Sequence, residues 1–124
     1  MKDLNSITEK IIKCAFTVSN ALGPGFLEKV YENAMVIELK KSGLDVKQQH
    51  PVQVHYDGQI VGDYISDLFV EDNIIVELKT AKNIDTVHKA QLINYLKAAD
   101  KRVGLILNFS QPKIEVKRIV NQFK

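Results

Sequence analysis

From Leu44 onward the apolar residues stop recurring at helical spacing and begin to alternate, and this change of period divides the chain into helix-forming and sheet-forming stretches. Leu44, Val46 and Gln48, then Val52, Val54 and Tyr56, keep a two-residue rhythm that closes at Asp57-Gly58, a dipeptide suited to a two-residue hairpin turn. A second strand is predicted over residues 59–70. After the turn Glu71-Asp72-Asn73 a third follows over residues 74–80, apolar except for Glu77 and Lys79. Before Leu44 the period is helical. Ser6 and Glu9 predict a capping box, and Ile7, Ile11, Ala15, Val18 and Leu22 carry a first helix over residues 6–22, stopped by Gly23. Gly23-Pro24-Gly25 breaks the chain. A second helix is predicted from Phe26 to Ser42-Gly43, with Leu27, Val30, Ala34 and Ile37 in one stripe and Tyr31 and Met35 beside it.

Asp85 or Thr86 can cap a third helix that runs to about Ala99, with Val87, Ala90, Ile93 and Leu96 as its packed face and Leu92 and Tyr95 flanking them. Residues 103–108 read as a short buried strand, and Ile114, Val116 and Arg118 alternate in what reads as an edge strand, with a terminal helix as the alternative. The order predicts an α/β fold of α+β type: a mixed sheet with helices packed on it. At 124 residues the chain has room for one domain, 1–124, and its 45% hydrophobic and 26% charged residues exclude disorder as its resting state. The single cysteine, Cys14, allows no internal disulfide and no Cys-rich zinc site. No apolar stretch approaches the length of a membrane span, and Glu9, Lys10 and Lys13 break up any secretory signal, so a cytoplasmic location with no membrane partner is expected.

If the loop of the second hairpin is Glu71 to Asn73, Val70 pairs with Ile74. Antiparallel counting then sets Asp67 opposite Glu77 and Ile65 opposite Lys79, with Asp67, Glu77 and Lys79 on one face. Ser66, Leu68, Val70, Ile74, Val76 and Leu78 form the other face, a core face. Two carboxylates directly opposite repel unless a proton or a cation lies between them, and Mg²⁺ typically takes one or two protein carboxylates along with water and phosphate oxygens. A two-residue turn at Asp72-Asn73 would instead shift the register by one and turn Asp67 away, and Glu77 and Lys79 would then be an ordinary solvated strand face. On the third helix His88, Gln91 and Tyr95 form one stripe more polar than its packed neighbours require. On the second, Glu28 and Tyr31 share a face beside the Gly-Pro-Gly entry.

These residues together resemble a known family. Gly25 to Tyr31, GFLEKVY, is similar to the GxxExxY signature, and Ser66 to Lys79, SDLFVEDNIIVELK, resembles the acidic core of the PD-(D/E)xK nuclease superfamily. Gln91 to Tyr95, QLINY, resembles the Q-xxx-Y element of several of its branches. Ser66 stands where the proline of the motif's name would be. The resemblance implies a restriction-endonuclease-like fold with the active site at one sheet edge. It implies Asp67, Glu77 and Glu28 as ligands of Mg²⁺, with Mn²⁺ as substitute, and Lys79 as the catalytic lysine. Gln91, Tyr95 and Tyr31 would support the site or touch the nucleic-acid backbone. The implied activity is hydrolysis of nucleic-acid phosphodiesters, DNA more than RNA. A catalytically silent nuclease-fold module that binds nucleic acid or assembles with protein is the alternative. A second copy could pair through the C-terminal alternating segment, and a partner protein is equally open.

The charge divides along the chain. Up to Leu78 there are seven Lys and Arg against twelve Asp and Glu, a sum of −5, and from Lys79 on there are ten against three, a sum of +7. The total of +2 is therefore a cancellation. Lys82, Lys89, Lys97, Lys101, Arg102, Lys113, Lys117 and Arg118 are the expected source of phosphate contacts.

Overall fold

The structure, a computed structural model, describes residues 3–122. The first helix, α1 (Leu4–Leu22), begins two residues earlier than the capping box predicts. Asp3, not Ser6, is its cap: the Asp3 carboxylate accepts from the Asn5 N–H at 3.4 Å, and the Asp3 carbonyl already receives the Ile7 N–H at 3.1 Å. Ile7, Ile11, Cys14, Ala15 and Val18 make its buried stripe, as their spacing requires. Gly23, at φ 69°, ends the helix in a conformation that a β-carbon would strain. Helix α2 (Glu28–Lys41) starts two residues later than expected. Apart from Glu32, only the Tyr31–Met35 stripe, continued by Leu39, is buried. Leu27, Val30 and Ile37 of the other stripe are exposed, because the helix rests on the sheet along one narrow line.

Five strands follow: β1 (Val46–Tyr56), β2 (Gln59–Val70), β3 (Ile74–Lys79), β4 (Val103–Asn108) and β5 (Glu115–Val120), with helix α3 (Thr86–Ala99) between β3 and β4. They form one sheet in the order β1-β2-β3-β4-β5. Neighbours are antiparallel except β3 and β4, which are parallel and joined by the α3 crossover. Asp57 and Gly58 both take positive φ, 52° and 75°, the requirement of the predicted turn. The second hairpin has the three-residue loop: Val70 pairs with Ile74. The C-terminal segment is a strand, antiparallel to β4 at the outer edge, so the helical alternative falls.

Helices α1 and α2 cover one face of the sheet, where Ile7, Tyr31, Met35, Leu68, Val76 and Leu105 belong to the larger apolar cluster. On the other face α3 packs Leu92, Tyr95 and Leu96 against Phe69, Ile75 and Ile106. β3 and β4 are therefore buried on both sides, which is why they read as continuous apolar runs. The packed face of α3 is rotated from the expected one. Asp85 caps it through a reciprocal bond with His88, but Val87 is 71% exposed and Ala90 is exposed as well. Gly104 allows the close approach of this helix, since a β-carbon there would lie 3.0 Å from the Leu92 methyls and 3.1 Å from the Ile75 carbonyl.

The β1–β2 hairpin outruns its neighbours, for β2 pairs with β3 only from Leu68 to Val70. At Gln49 the backbone turns left-handed, φ 56°, opposite the point in β2 where Asp67 lies. Beyond this kink the hairpin curls toward α3, so that His50 stacks on Phe69 at 4.5 Å and Tyr64 meets Tyr95 at 5.0 Å.

Candidate active site

Asp67 and Glu77 meet where β2 and β3 separate. The backbone ladder stops at Leu68 and Val76, and side chains continue it: the Leu78 N–H donates to Asp67 Oδ2 at 2.8 Å, and the Asp67 N–H points at Glu77 Oε2 at 3.4 Å. The register predicted from turn length holds from Val70–Ile74 to Leu68–Val76; the paired ladder ends before Asp67 and Glu77, which meet through these side-chain bonds, and before Ile65 and Lys79. The pair lies across β2 and β3, two of the three inner strands, rather than at an outer strand of the sheet, because β1 and β5 flank the central strands on both sides.

Glu77 is 7% exposed, and its Oε1 is buried with no hydrogen-bond partner. Burial, then the charge of Asp67, push its carboxyl from 4.5 up to about 9, and the Lys79 ammonium pulls only weakly the other way. The site thus has one more negative charge than its surroundings support, and a proton or a cation removes the conflict. Lys79 is the last residue of β3, half-buried beside the pair, and its carbonyl accepts from the Phe109 N–H at 2.9 Å.

Tyr95 is 9% exposed on the sheet-facing side of α3. Burial, and then the charges of Glu77, Tyr64 and Asp67, hold its phenol above the ordinary value. Gln91, one turn earlier, is exposed. Tyr31 is fully buried: its hydroxyl donates to the Gly23 carbonyl at 2.7 Å and accepts from the Phe26 N–H at 3.1 Å, and its ring stacks on Phe109 at 4.6 Å. It ties the Gly-Pro-Gly turn to the end of β4, and so sets where α2 begins. Glu28, the first residue of α2, is exposed at this end of the sheet. Among the described residues no three His, Cys, Asp or Glu side chains are grouped to hold a metal, so Asp67 and Glu77 are brought together and Glu28 is not gathered with them.

Two features escape sequence reasoning. Glu32 is buried on α2 and accepts from Lys29 at 2.9 Å, from Gln49 at 2.9 Å and from Gln48, so it clamps the kink that faces Asp67. A carboxylate next to Tyr31 on the buried side of α2 was the available signal. Asn108, also buried, bonds Ala81 through both its amide nitrogen, 2.8 Å, and its oxygen, 3.2 Å. With Glu115, which accepts from the Ile84 N–H at 3.0 Å, it fixes the segment between Lys79 and α3. Asn108 ends an otherwise apolar strand, where spacing does not distinguish a buried polar residue from a surface one.

The family model of the PD-(D/E)XK nuclease superfamily matches residues 5–119. No curated protein matches the chain. Among solved structures, the crystal structure of SSO0001 superposes with a TM-score of 0.58 at 17% identity, covering 94% of this chain. The chain spans 59% of the length of that one, and the likeness is one of fold.

Proposed function

The chain belongs to the PD-(D/E)XK nuclease superfamily, and we propose that it is a metal-dependent nuclease that hydrolyses phosphodiester bonds, of DNA in preference to RNA, at the face formed by Asp67, Glu77 and Lys79. Within the superfamily, the resemblance of Gly25 to Tyr31 to the GxxExxY signature supports assigning it to that group. The observation that carries the reading is the unpartnered, buried Oε1 of Glu77 beside the Asp67 carboxylate, an oxygen pair that fits a hard divalent cation such as Mg²⁺ or Mn²⁺. Asp67 and Glu77 would hold it, and Glu28, which is not gathered with them in this structure, would join only if the start of α2 moved toward the pair. When bound, such an ion polarises the scissile phosphate and makes water a better nucleophile at neutral pH.

The chain's own groups do the rest. Lys79 orients the attacking water and offsets the negative charge that grows on the phosphate oxygens. Tyr95 closes the site on the α3 side and excludes bulk water from the carboxylate pair. Gln91, exposed one turn from Tyr95, would hydrogen-bond the nucleic-acid backbone. Cleavage is expected to leave a 5′-phosphate and a 3′-hydroxyl. No helix among the described residues is long and apolar enough to cross a membrane. The free, buried Cys14 suits a cytoplasmic setting. A second copy would pair through the outer strand β5, which sedimentation velocity at rising concentration tests.

The Asp67–Leu78 bond favours one second reading, a silent module in which Asp67 only closes the broken ladder. Cleavage of labelled single-stranded, duplex and branched DNA and of RNA with Mg²⁺ or Mn²⁺ decides between them. Glu77→Gln and Lys79→Ala are each expected to lose about 10²- to 10³-fold in rate. If no substrate is cut, or both variants cut as fast as wild type, the nuclease reading is wrong.

A further inference from the structure

The curl of the β1–β2 hairpin leaves a cavity of about 450 Å³ between it and α3, lined by Val54, His55, Tyr64, Asn94, Lys97 and Ala98. We propose that this cavity is a nucleobase pocket, and that the substrate is a strand whose nucleotide next to the scissile phosphate is unpaired. The inference rests on the nuclease reading above and adds the substrate's form.

The volume is in the range of small-ligand sites, and the lining has the composition of a base-binding site. Tyr64 is 45% exposed, so its ring is available for stacking; any base presents a π-face to such a ring. Val54 and Ala98 add apolar wall. Asn94 carries both a donor and an acceptor for a base edge, His55 supplies a second polar edge, and Lys97 brings positive charge to the rim. The position is as telling as the chemistry. Tyr64 contacts Tyr95 at 5.0 Å, and it precedes Asp67 by three residues on β2, about 10 Å along the strand. A strand with its phosphate at the pair would therefore pass Tyr95 and deliver the adjacent base to Tyr64. A base inside a duplex is stacked and paired on its own helix, and reaches such a pocket only by flipping out at a cost in unstacking and unpairing.

Binding of a fluorescein-labelled oligothymidylate and of a duplex of equal length, followed by anisotropy in EDTA, tests this without cleavage. Tyr64→Ala is expected to weaken single-strand binding about 5- to 150-fold while changing duplex binding less than twofold, and Tyr64→Phe, which keeps the ring, to bind within about twofold of wild type. Equal losses on both substrates, or no loss on the single strand, overturn the pocket. Should Tyr64→Ala fail to fold, titration of the wild-type protein with thymidine 5′-monophosphate is expected to shift the side-chain NMR signals of His55 and Asn94, and unmoved signals overturn it. The two readings fail separately: cleavage with an unchanged single-strand preference in Tyr64→Ala leaves the nuclease and removes the pocket, while Tyr64-dependent binding without cleavage leaves the pocket and removes the nuclease.

Discussion

Replacing Glu77 by Gln should make the metal-free protein more stable at neutral pH. The carboxyl moves from 4.5 to about 9 on folding because the folded chain buries it beside Asp67. An acid whose value is raised in the folded state holds its proton there while the unfolded chain has released it, so stability falls as pH rises between these two values. From 4.5 to pH 7 the loss amounts to about 3 kcal/mol, and by pH 9 to about 6 kcal/mol, as upper figures before the site relaxes. Gln has the same shape and no charge, so the variant escapes this loss. Urea denaturation in EDTA, followed by far-UV circular dichroism because the chain has no Trp, should show Glu77→Gln close to wild type near pH 4.5 and about 3 kcal/mol more stable at pH 7. Mg²⁺ at a hundred times its dissociation constant should then return about 3 kcal/mol to wild type and nothing to the variant. If Glu77→Gln is no more stable than wild type at pH 7, or its advantage does not grow with pH, the carboxylate conflict is not present and the case for a cation there loses its main support.

Asp67 can be divided into its two uses. Asp67→Asn keeps an oxygen for the Leu78 N–H and should fold as well as wild type while losing about 10²- to 10³-fold in cleavage; Asp67→Ala leaves that N–H unmatched and should also lose about 1–3 kcal/mol in urea denaturation. Glu32→Ala strips the acceptor from Gln49 and from Gln48, and is expected to cost about 1–3 kcal/mol and to speed hydrogen exchange at Leu78, the amide that depends on the placement of Asp67. Unchanged exchange at Leu78 would show that the kink does not hold the site. For nucleic-acid binding, Lys82→Ala with Lys89→Ala should flatten the plot of log affinity against log salt by about 0.7 for each single-strand phosphate no longer neutralised, and Arg102→Ala with Arg118→Ala should leave the slope as it was.

The two hairpins were legible because turn chemistry and a period of two together fix register, and register alone brings Asp67 to Glu77 across three loop residues. What lay beyond that pair was not legible, for one reason that recurs. A strand pattern tells which residues share a face only while the strand stays regular, and β1 does not: Gln49 takes a left-handed conformation that Gly or Asn would have announced and Gln does not. After it the faces exchange, so Tyr64 turns to α3 and the cavity beside it opens, though nothing in the spacing of residues 59–70 marks Tyr64 from Ile60. The helices show the same limit in another form, since Val87 and Ile37 fit an amphipathic stripe and remain exposed where the sheet offers them no partner. Charge misleads most. The basic stretch after Leu78 looks continuous in the chain, yet Lys101 lies over Phe69 at 5.7 Å and Arg118 bonds Asn5 at 2.8 Å near where β4 begins, while Lys79 pairs with Asn108 where β4 ends. A chain that crosses its own sheet distributes one run of charge to both poles, so among the described residues a continuous basic stretch in the sequence is no guide to which cations share the end of the sheet where Lys79 stands.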